Sequence, residues 1–542
     1  MSLDTAAITA ASARFPKPAR SFTYGTAGVR TLGKDLDSTC FRLAIVAALR
    51  SKWAKGKVTG LMVTASHNPE QDNGLKAVDP RGEMLASSWE AHCTRIANAA
   101  SDDELVGVVQ DIVAKESIDL SQAAVVVYAY DTRPTCPALV RALEAGLDAL
   151  GATKRNAGLL TTPQLHYLVR AYNTQGTDEA YGEPTEEGYY EKMAQAFKTL
   201  VPAASPLVVD CANGVGAPAL QKLQKYIPAA SLPFKVLRTA ISTPGALNSG
   251  CGADYVKTTQ SLPAGLESEV QADSRMCSFD GDADRIVFYY LRGDPREKAS
   301  FRLLDGDKIT ALAADWISEL VKTAEVDLKV GSVQTAYANG SSTRYLEQRV
   351  PVTCTPTGVK YLHHAAESYD IGVYFEANGH GTVLFSPASI AKLKGAGSGA
   401  PEAAAARKQL LALTELINQT VGDALSDMLL VEVVLRVTGR SFAEWDSTYE
   451  DLPNRLLKVL VPDRTLFETT DAERRLTRPA GLQAQIEHEA ARYAGGRSFV
   501  RPSGTEDCVR VYAECEKADE LGALAENIKK LVEDAAKAAA QA

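Results

Sequence analysis

The sequence predicts an α/β fold: three successive mixed-sheet α/β domains followed by a smaller C-terminal α+β domain. Three observations predict it. A chain of 542 residues is too long for one hydrophobic core, so three or four domains are expected. Short apolar runs alternate with helical stretches, the mark of βαβ units with largely parallel pairing. A β-branched run, Leu429 to Val437, then follows an Ala- and Leu-rich helix and opens a stretch of different character.

In chain order, Phe41 to Leu49 and Pro137 to Leu150 read as helices, and Gly60 to Val63 and Ala123 to Tyr130 as strands. Asp131-Thr132-Arg133-Pro134 is a cationic turn that equally suits a helix start capped by Thr132. A polar stretch from Tyr172 to Gly188 reads as a loop or domain edge. Pro206 to Asp210 and the turn Asn213-Gly214-Val215-Gly216 open a second unit that runs to about residue 300. Leu304-Asp305-Gly306-Asp307 turns into a helix from Lys308 to Val321, and the third unit includes a strand from Ile371 to Glu376. Gly395 to Gly399 is a flexible break before a helix from Pro401 to about Asn418. The expected domains are 1–195, 196–300, 301–428 and 429–542.

Composition removes several function classes. The net charge of −9 argues against general nucleic-acid binding, which needs a basic face. No window approaches the roughly 18 unbroken apolar residues of a membrane span, and the first fifteen residues lack the pattern of a secretory signal. Nine scattered cysteines without a C-x-x-C pair suit reduced thiols in an intracellular, cytoplasmic protein. Neither a Walker loop nor a G-x-S-x-G elbow is present.

Four stretches carry chemistry. Thr64-Ala65-Ser66-His67-Asn68-Pro69 presents a serine beside a histidine at a strand end, placed either as a nucleophile or as a plain polar turn. Asp280-Gly281-Asp282-Ala283-Asp284-Arg285 sets three carboxylates at alternate positions, able to converge on one hard cation, with Arg285 beside them. An EF-hand fails, because Arg285 and Leu291 stand where glycine and glutamate are needed. Mg²⁺ bound to a phosphate-containing group suits three carboxylates with open coordination positions. Glu376-Ala377-Asn378-Gly379-His380-Gly381 suits vicinal sugar hydroxyls, and equally a polar hairpin. Arg501-Pro502-Ser503-Gly504-Thr505-Glu506, with Arg510, reads as a phosphate cradle, against a surface turn with solvated arginines. Together they describe a serine that passes a phosphoryl group within one substrate, whose other phosphate is held elsewhere.

These four stretches, in this order over nearly the whole chain, resemble the α-D-phosphohexomutase superfamily. Secondary matches are Tyr24 to Arg30, Thr161 to Tyr167, Leu247-Asn248, Cys251 to Asp254 and Asp451 to Arg455. Asn378 stands where glucose- and mannose-type mutases carry a serine, which is similar to the acetylglucosamine-phosphate branch. Val29 stands where a phenylalanine is common. The resemblance implies a four-domain, heart-shaped protein with a central cleft. It implies Ser66 as phosphoserine and Mg²⁺, one per site, on Ser66, Asp280, Asp282 and Asp284. The implied reaction interconverts N-acetylglucosamine 6-phosphate and 1-phosphate through a glucosamine-type 1,6-bisphosphate, in UDP-GlcNAc biosynthesis. Lys76, Arg30, His67 and His380 are the implied catalytic set, with Lys76 as a base if its pKa is lowered. Glu376, Asn378, Gly379 and His380 would bind the sugar, and Arg501, Ser503, Gly504, Thr505 and Arg510 the phosphate. The alternatives are a glucose- or mannose-phosphate mutase and a non-catalytic sugar-phosphate-binding relative. No nucleic acid, membrane or obligate protein partner is implied.

Overall fold

The computed structural model describes residues 3–201, 203–397, 399–504 and 507–541. It divides into two compact units: Met1–Asp305 with Asn378–Val383 and Arg407–Phe442, and Gly306–Ala377 with Leu384–Ala406 and Ala443–Ala542. Among the described residues no helix is long and apolar enough to cross a membrane, and all nine cysteines are free thiols.

The first unit holds two five-stranded sheets. In the first, the order is Val29–Leu32, Asp72–Val78, Thr59–Val63, Val125–Tyr130 and Thr153–Leu159. Thr59–Val63 is buried at every position, which explains its unbroken apolar run. Helices Asp37–Trp53 and Cys136–Ala149 supply much of the core beside it. The largely parallel pairing expected from βαβ alternation holds for only two of the contacts. Val29–Leu32 and Asp72–Val78 pair antiparallel, and Asp72–Val78 also runs antiparallel to Thr59–Val63. The chain returns directly after the serine loop, too short a connection for the crossover that a parallel strand needs.

The second sheet has the order Phe301–Leu304, Ile286–Leu291, Met276–Phe279, Leu207–Asp210 and Phe234–Leu237. Its edge strand Phe301–Leu304 lies past the expected boundary at 300. The connection between Met276–Phe279 and Ile286–Leu291 is the triple-aspartate loop.

The run Leu429 to Val437, read above as β-like and as the opening of the last domain, is helical. It lies inside the helix Ala424–Thr438, in the first unit. The side chain of Asp423 caps this helix by accepting from Leu425 N and Ser426 N, and Gly439 ends it at φ 69°. Every residue from Ala424 to Leu435 is buried, so no polar face survives to reveal a helical period. Thr132 does not cap a helix: its Oγ1 has no hydrogen-bond partner among the described residues, and the neighbouring helix begins at Cys136 behind Thr135, with a proline in its first turn.

In the second unit, the third sheet includes Val352–Thr355, Val330–Thr335 and Ile371–Phe375, paired parallel, beside the helix Gly306–Thr323. The fourth sheet is antiparallel, with Cys508–Glu514 between Asn454–Leu460 and Arg497–Pro502. Helices Leu482–Ala490 and Ala518–Gln541 cover it, and a hairpin of Glu468–Thr470 and Arg475–Arg478 stands nearby.

Candidate active site

Ser66 sits just beyond the carboxyl end of Thr59–Val63, where open α/β sheets present their reactive groups. It is 1 % exposed and its backbone takes the left-handed φ of 50°, unusual for a serine. Its Oγ donates to Asp282 Oδ2 at 3.0 Å. Gly281 makes this approach possible, because a Cβ there would lie 2.6 Å from Ser66 O. The antiparallel return strand then brings Lys76 opposite Met62 and Arg30 opposite Gly74.

Asp280, Asp282 and Asp284 are all buried, and one oxygen of each can be chosen so that the three lie within 4.8 Å of one another. Each divides its two oxygens. Asp280 Oδ1 accepts from Asp284 N and Arg285 N at 3.1 and 3.2 Å. Asp282 Oδ2 accepts from Ser66 Oγ, from Lys76 Nζ at 2.9 Å and from Thr162 Oγ1 at 2.6 Å. Asp284 Oδ2 accepts from Lys76 Nζ at 2.8 Å. Asp280 Oδ2 and Asp282 Oδ1 accept no hydrogen bond among the described residues. Asp284 Oδ1 has ion-pair contacts longer than a hydrogen bond, to His380 Nδ1 at 3.5 Å and Arg285 Nε at 3.7 Å. Three buried carboxylate oxygens without strong donors form an all-oxygen set that fits a hard divalent cation such as Mg²⁺.

Electrostatics agree with this division. Burial, then the charges of Asp284 and Asp282, push the Asp280 carboxyl well above its usual range. Burial acts the same way on Asp284, but Lys76, His380 and Arg285 outweigh it and hold that carboxyl well below. Lys76 does not show the lowered pKa that a base requires. Burial pulls it down, yet Asp282 and Asp284 outweigh burial and raise it, so the ammonium keeps its proton. Burial and the cations Arg285 and Arg30 depress His67 to about 2, leaving a neutral ring whose Nδ1 has no hydrogen-bond partner among the described residues. Burial, then Arg285, lowers the Arg30 guanidinium against the pull of the three aspartates.

His380 joins this cluster through Gly379. At φ 86°, a Cβ on Gly379 would lie 1.7 Å from Ile286 O, while Ile286 N donates to Gly379 O at 3.2 Å. The stretch is thereby pinned to the strand that follows the aspartate loop. Asn378 Oδ1 accepts from His380 N at 3.0 Å, so one end of its amide shapes the turn. Glu376 belongs to the second unit, at the end of Ile371–Phe375.

The phosphate loop also lies in the second unit. Arg501 and Arg510 are direct cross-strand partners, a placement that costs free energy unless anions balance it. Ser503 N donates to Cys508 O at 2.9 Å, and Gly504 has open space around its α-carbon. Thr505 falls outside the described residues. Arg501 donates to Glu473 Oε1 at 2.9 Å and to Tyr337 Oη at 3.1 Å. Burial lowers its pKa, but Tyr337 and Glu473 outweigh burial and raise it.

Three residues of the first unit were not picked out by sequence. Thr162 reaches Asp282, and Asn248 Nδ2 donates to Ser66 O and Asn68 O at 2.9 and 3.1 Å. Both lie in secondary matches, which was their only signal. Arg133, in the turn read as a helix start, lies wholly buried under the serine loop. A cavity of about 420 Å³ flanks that loop, lined by His67, Pro69, Glu70, Pro134, Leu247 and Asn248.

Comparison with known proteins identifies the family. Family models match along the chain. Phosphoacetylglucosamine mutase AMG1 domain III matches residues 305–440, and its domain II residues 184–287. The phosphoglucomutase/phosphomannomutase C-terminal domain matches 456–531, and the alpha/beta/alpha domain I matches 31–104 and 102–180. The phosphoacetylglucosamine mutase of Homo sapiens is 49 % identical over 97 % of this chain and 96 % of its own. That of Candida albicans is 47 % identical over 95 % and 97 %. The crystal structure of the Aspergillus fumigatus N-acetylphosphoglucosamine mutase, in complex with GlcNAc-6P and magnesium, aligns with a TM-score of 0.94 at 48 % identity, covering 99 % of this chain and 100 % of that one. With sequence and fold matched along almost their whole length, the chain belongs to the phosphoacetylglucosamine mutase family of the α-D-phosphohexomutases.

Proposed function

We propose that the chain reversibly converts N-acetylglucosamine 6-phosphate to N-acetylglucosamine 1-phosphate, with Ser66 as the phosphoryl carrier, in UDP-GlcNAc biosynthesis. The observation that supports this is the hydrogen bond from Ser66 Oγ to Asp282 Oδ2, one of three clustered buried carboxylates. Mg²⁺, one per site, would be held by Asp280, Asp282, Asp284 and the phosphoserine, and would neutralise charge on the phosphoryl group.

In the first half-reaction the bond from phosphorus to Ser66 Oγ breaks and one to the sugar 1-hydroxyl oxygen forms. The hydroxyl proton needs an acceptor. His380 is our choice, because among the described residues its Nε2 has no hydrogen-bond partner, whereas Lys76 Nζ already donates to Asp282 and Asp284. Lys76, Arg30 and Arg285 serve as fixed positive charge around the transferring group. His67, neutral and adjacent to Ser66, helps line the approach. The 1,6-bisphosphate then turns over: its bond from phosphorus to the 6-oxygen breaks, one to Ser66 Oγ forms, and the 6-oxygen takes up the proton that the 1-hydroxyl released to His380. Arg501, Ser503, Gly504, Thr505 and Arg510 carry whichever phosphate is not being transferred. Glu376, Asn378, Gly379 and His380 address the sugar. The substrate is a free small molecule, no nucleic acid or protein partner takes part, and we place the reaction in the cytoplasm.

The test is intact mass and turnover together. The purified protein should carry one phosphate on Ser66, and Ser66→Ala should lose both that phosphate and mutase activity. A fully active S66A would overturn the reading. kcat/KM should favour N-acetylglucosamine 6-phosphate over glucose 6-phosphate; the reverse preference would move the chain to the glucose-type alternative.

A further inference from the structure

We propose that Arg133 and Thr64 form a clamp on the main chain of Ser66 and act as positioning residues for phosphoryl transfer in both directions; this rests on the mutase reading above. The Arg133 side chain is 0 % exposed, and its guanidinium makes five hydrogen bonds. Nη1 donates to Pro69 O at 2.6 Å and Asp72 O at 2.7 Å. Nη2 donates to Ser66 O at 2.8 Å and Asn68 O at 2.9 Å. Nε donates to Asp131 Oδ2 at 3.1 Å. Four carbonyl oxygens of one short loop are thus gathered on a single planar cation. Lysine cannot do this, since it presents a point charge on a flexible stem rather than a rigid fork.

The hydrogen bonds close into a ring around Ser66. Asp131 Oδ2 accepts from Arg133 Nε and also from Thr64 Oγ1 at 2.7 Å. Thr64 Oγ1 in turn accepts from Ser66 N at 3.0 Å. The amide N–H and the carbonyl of Ser66 therefore both end on one Asp131-centred unit. A left-handed serine costs about 1 kcal/mol, and the ring supplies the restraint that keeps it so.

The ring leaves Ser66 Oγ untouched. It grips the same peptide groups whether Oγ carries a hydrogen or a phosphoryl group, so the attacking and departing oxygen occupies one place. A carrier that must give up one phosphate and take back another from the reversed sugar needs that constancy.

The experiment compares Arg133→Lys and Thr64→Val in the full chain with wild type and S66A. It measures kcat and KM per folded molecule, and the single-turnover transfer of phosphate from glucose 1,6-bisphosphate to Ser66 by intact mass. Displacing a reacting group by about 1 Å costs about 100-fold, so R133K should lose about that much kcat. T64V keeps the side-chain shape and breaks two hydrogen bonds of the ring; its kcat should fall about 10-fold, with single-turnover transfer slowed in parallel and KM within about two-fold of wild type. If R133K does not fold, T64V decides. A folded T64V with wild-type kcat, or one whose only defect is lower stability, overturns the clamp. An active S66A would overturn the mutase reading instead; an inactive S66A beside an unimpaired T64V removes the clamp alone.

Discussion

Ser66 Oγ and Asp282 Oδ2 stand 3.0 Å apart although they lie 216 positions apart in the chain. The contact joins the ends of strands from two different sheets of the first unit, and Lys76 lies on the same carboxylate oxygen. Function in this unit is a matter of how charge is distributed among a few buried groups, and that makes several consequences measurable.

Asp280 is a carboxylate retained at a cost. Burial and two neighbouring aspartates oppose its charge, while its Oδ1 hydrogen bonds would survive in an amide. Asp280→Asn should therefore raise the thermal midpoint of the metal-free protein, by about 2 °C for each kcal/mol of relief. It should also abolish the stabilisation that added Mg²⁺ gives wild type, together with activity. Calorimetry with EDTA and with Mg²⁺ reads both effects.

His166 makes the first unit acid-sensitive. Burial pushes its pKa down to about 3, against a hydrogen bond between Nδ1 and Gly82 O at 2.6 Å. The unfolded chain takes up that proton near pH 6.5 and the folded chain only near 3, so stability falls as pH drops through that window. At pH 5 the loss from this group is about 2 kcal/mol. His166→Gln, which retains a donor for Gly82 O, should flatten the fall in urea midpoint between pH 7 and pH 5.

Gly379 cannot accept a side chain without moving the loop. Gly379→Ala should cost about 2–4 kcal/mol, by strain at positive φ and by collision with Ile286 O. Because His380 would move with it, kcat should fall in the molecules that remain folded. Urea titration alongside an activity assay separates the two losses.

Arg501 is positioned as a fork by Glu473 and Tyr337. Arg501→Lys keeps the charge and loses the fork, so KM for N-acetylglucosamine 6-phosphate should rise about 10-fold or more. A change confined to kcat would mean that this arginine does not bind the substrate phosphate in the ground state.

The polar loops were legible in the sequence because each packs several chemical groups into six residues, which no helix or strand period explains away. The triple aspartate stood out by its spacing, whereas the serine turn and the arginine loop were left open by their own residues and took their expected roles from the resemblance. Leu429 to Val437 was misread because a helix buried on all sides carries no amphipathic period, and β-branched residues then suggest a strand. Arg133 escaped for a different reason. Its partners are backbone carbonyls, which every residue possesses, so nothing in residue type at 66–72 announces that an arginine will be needed there. The partners of Lys76 escaped as well: two carboxylates more than 200 positions away accept from its ammonium and raise its pKa.

The antiparallel return of Asp72–Val78 against Thr59–Val63 also fixes what the chain can tolerate. Extra residues between His67 and Gln71 would leave that ladder intact but would pull Asn68 O and Pro69 O away from the Arg133 guanidinium that gathers them with Ser66 O and Asp72 O. One residue inserted between Asp72 and Lys76 would shift the pairing of everything beyond it by a single step. Alternate residues of a strand face opposite sides of the sheet, so that step would carry the ammonium of Lys76 from Asp282 and Asp284 to the far face, among the helices. The segment is thus held to its length on both sides of Asp72, by the Arg133 contacts before it and by the strand register after it.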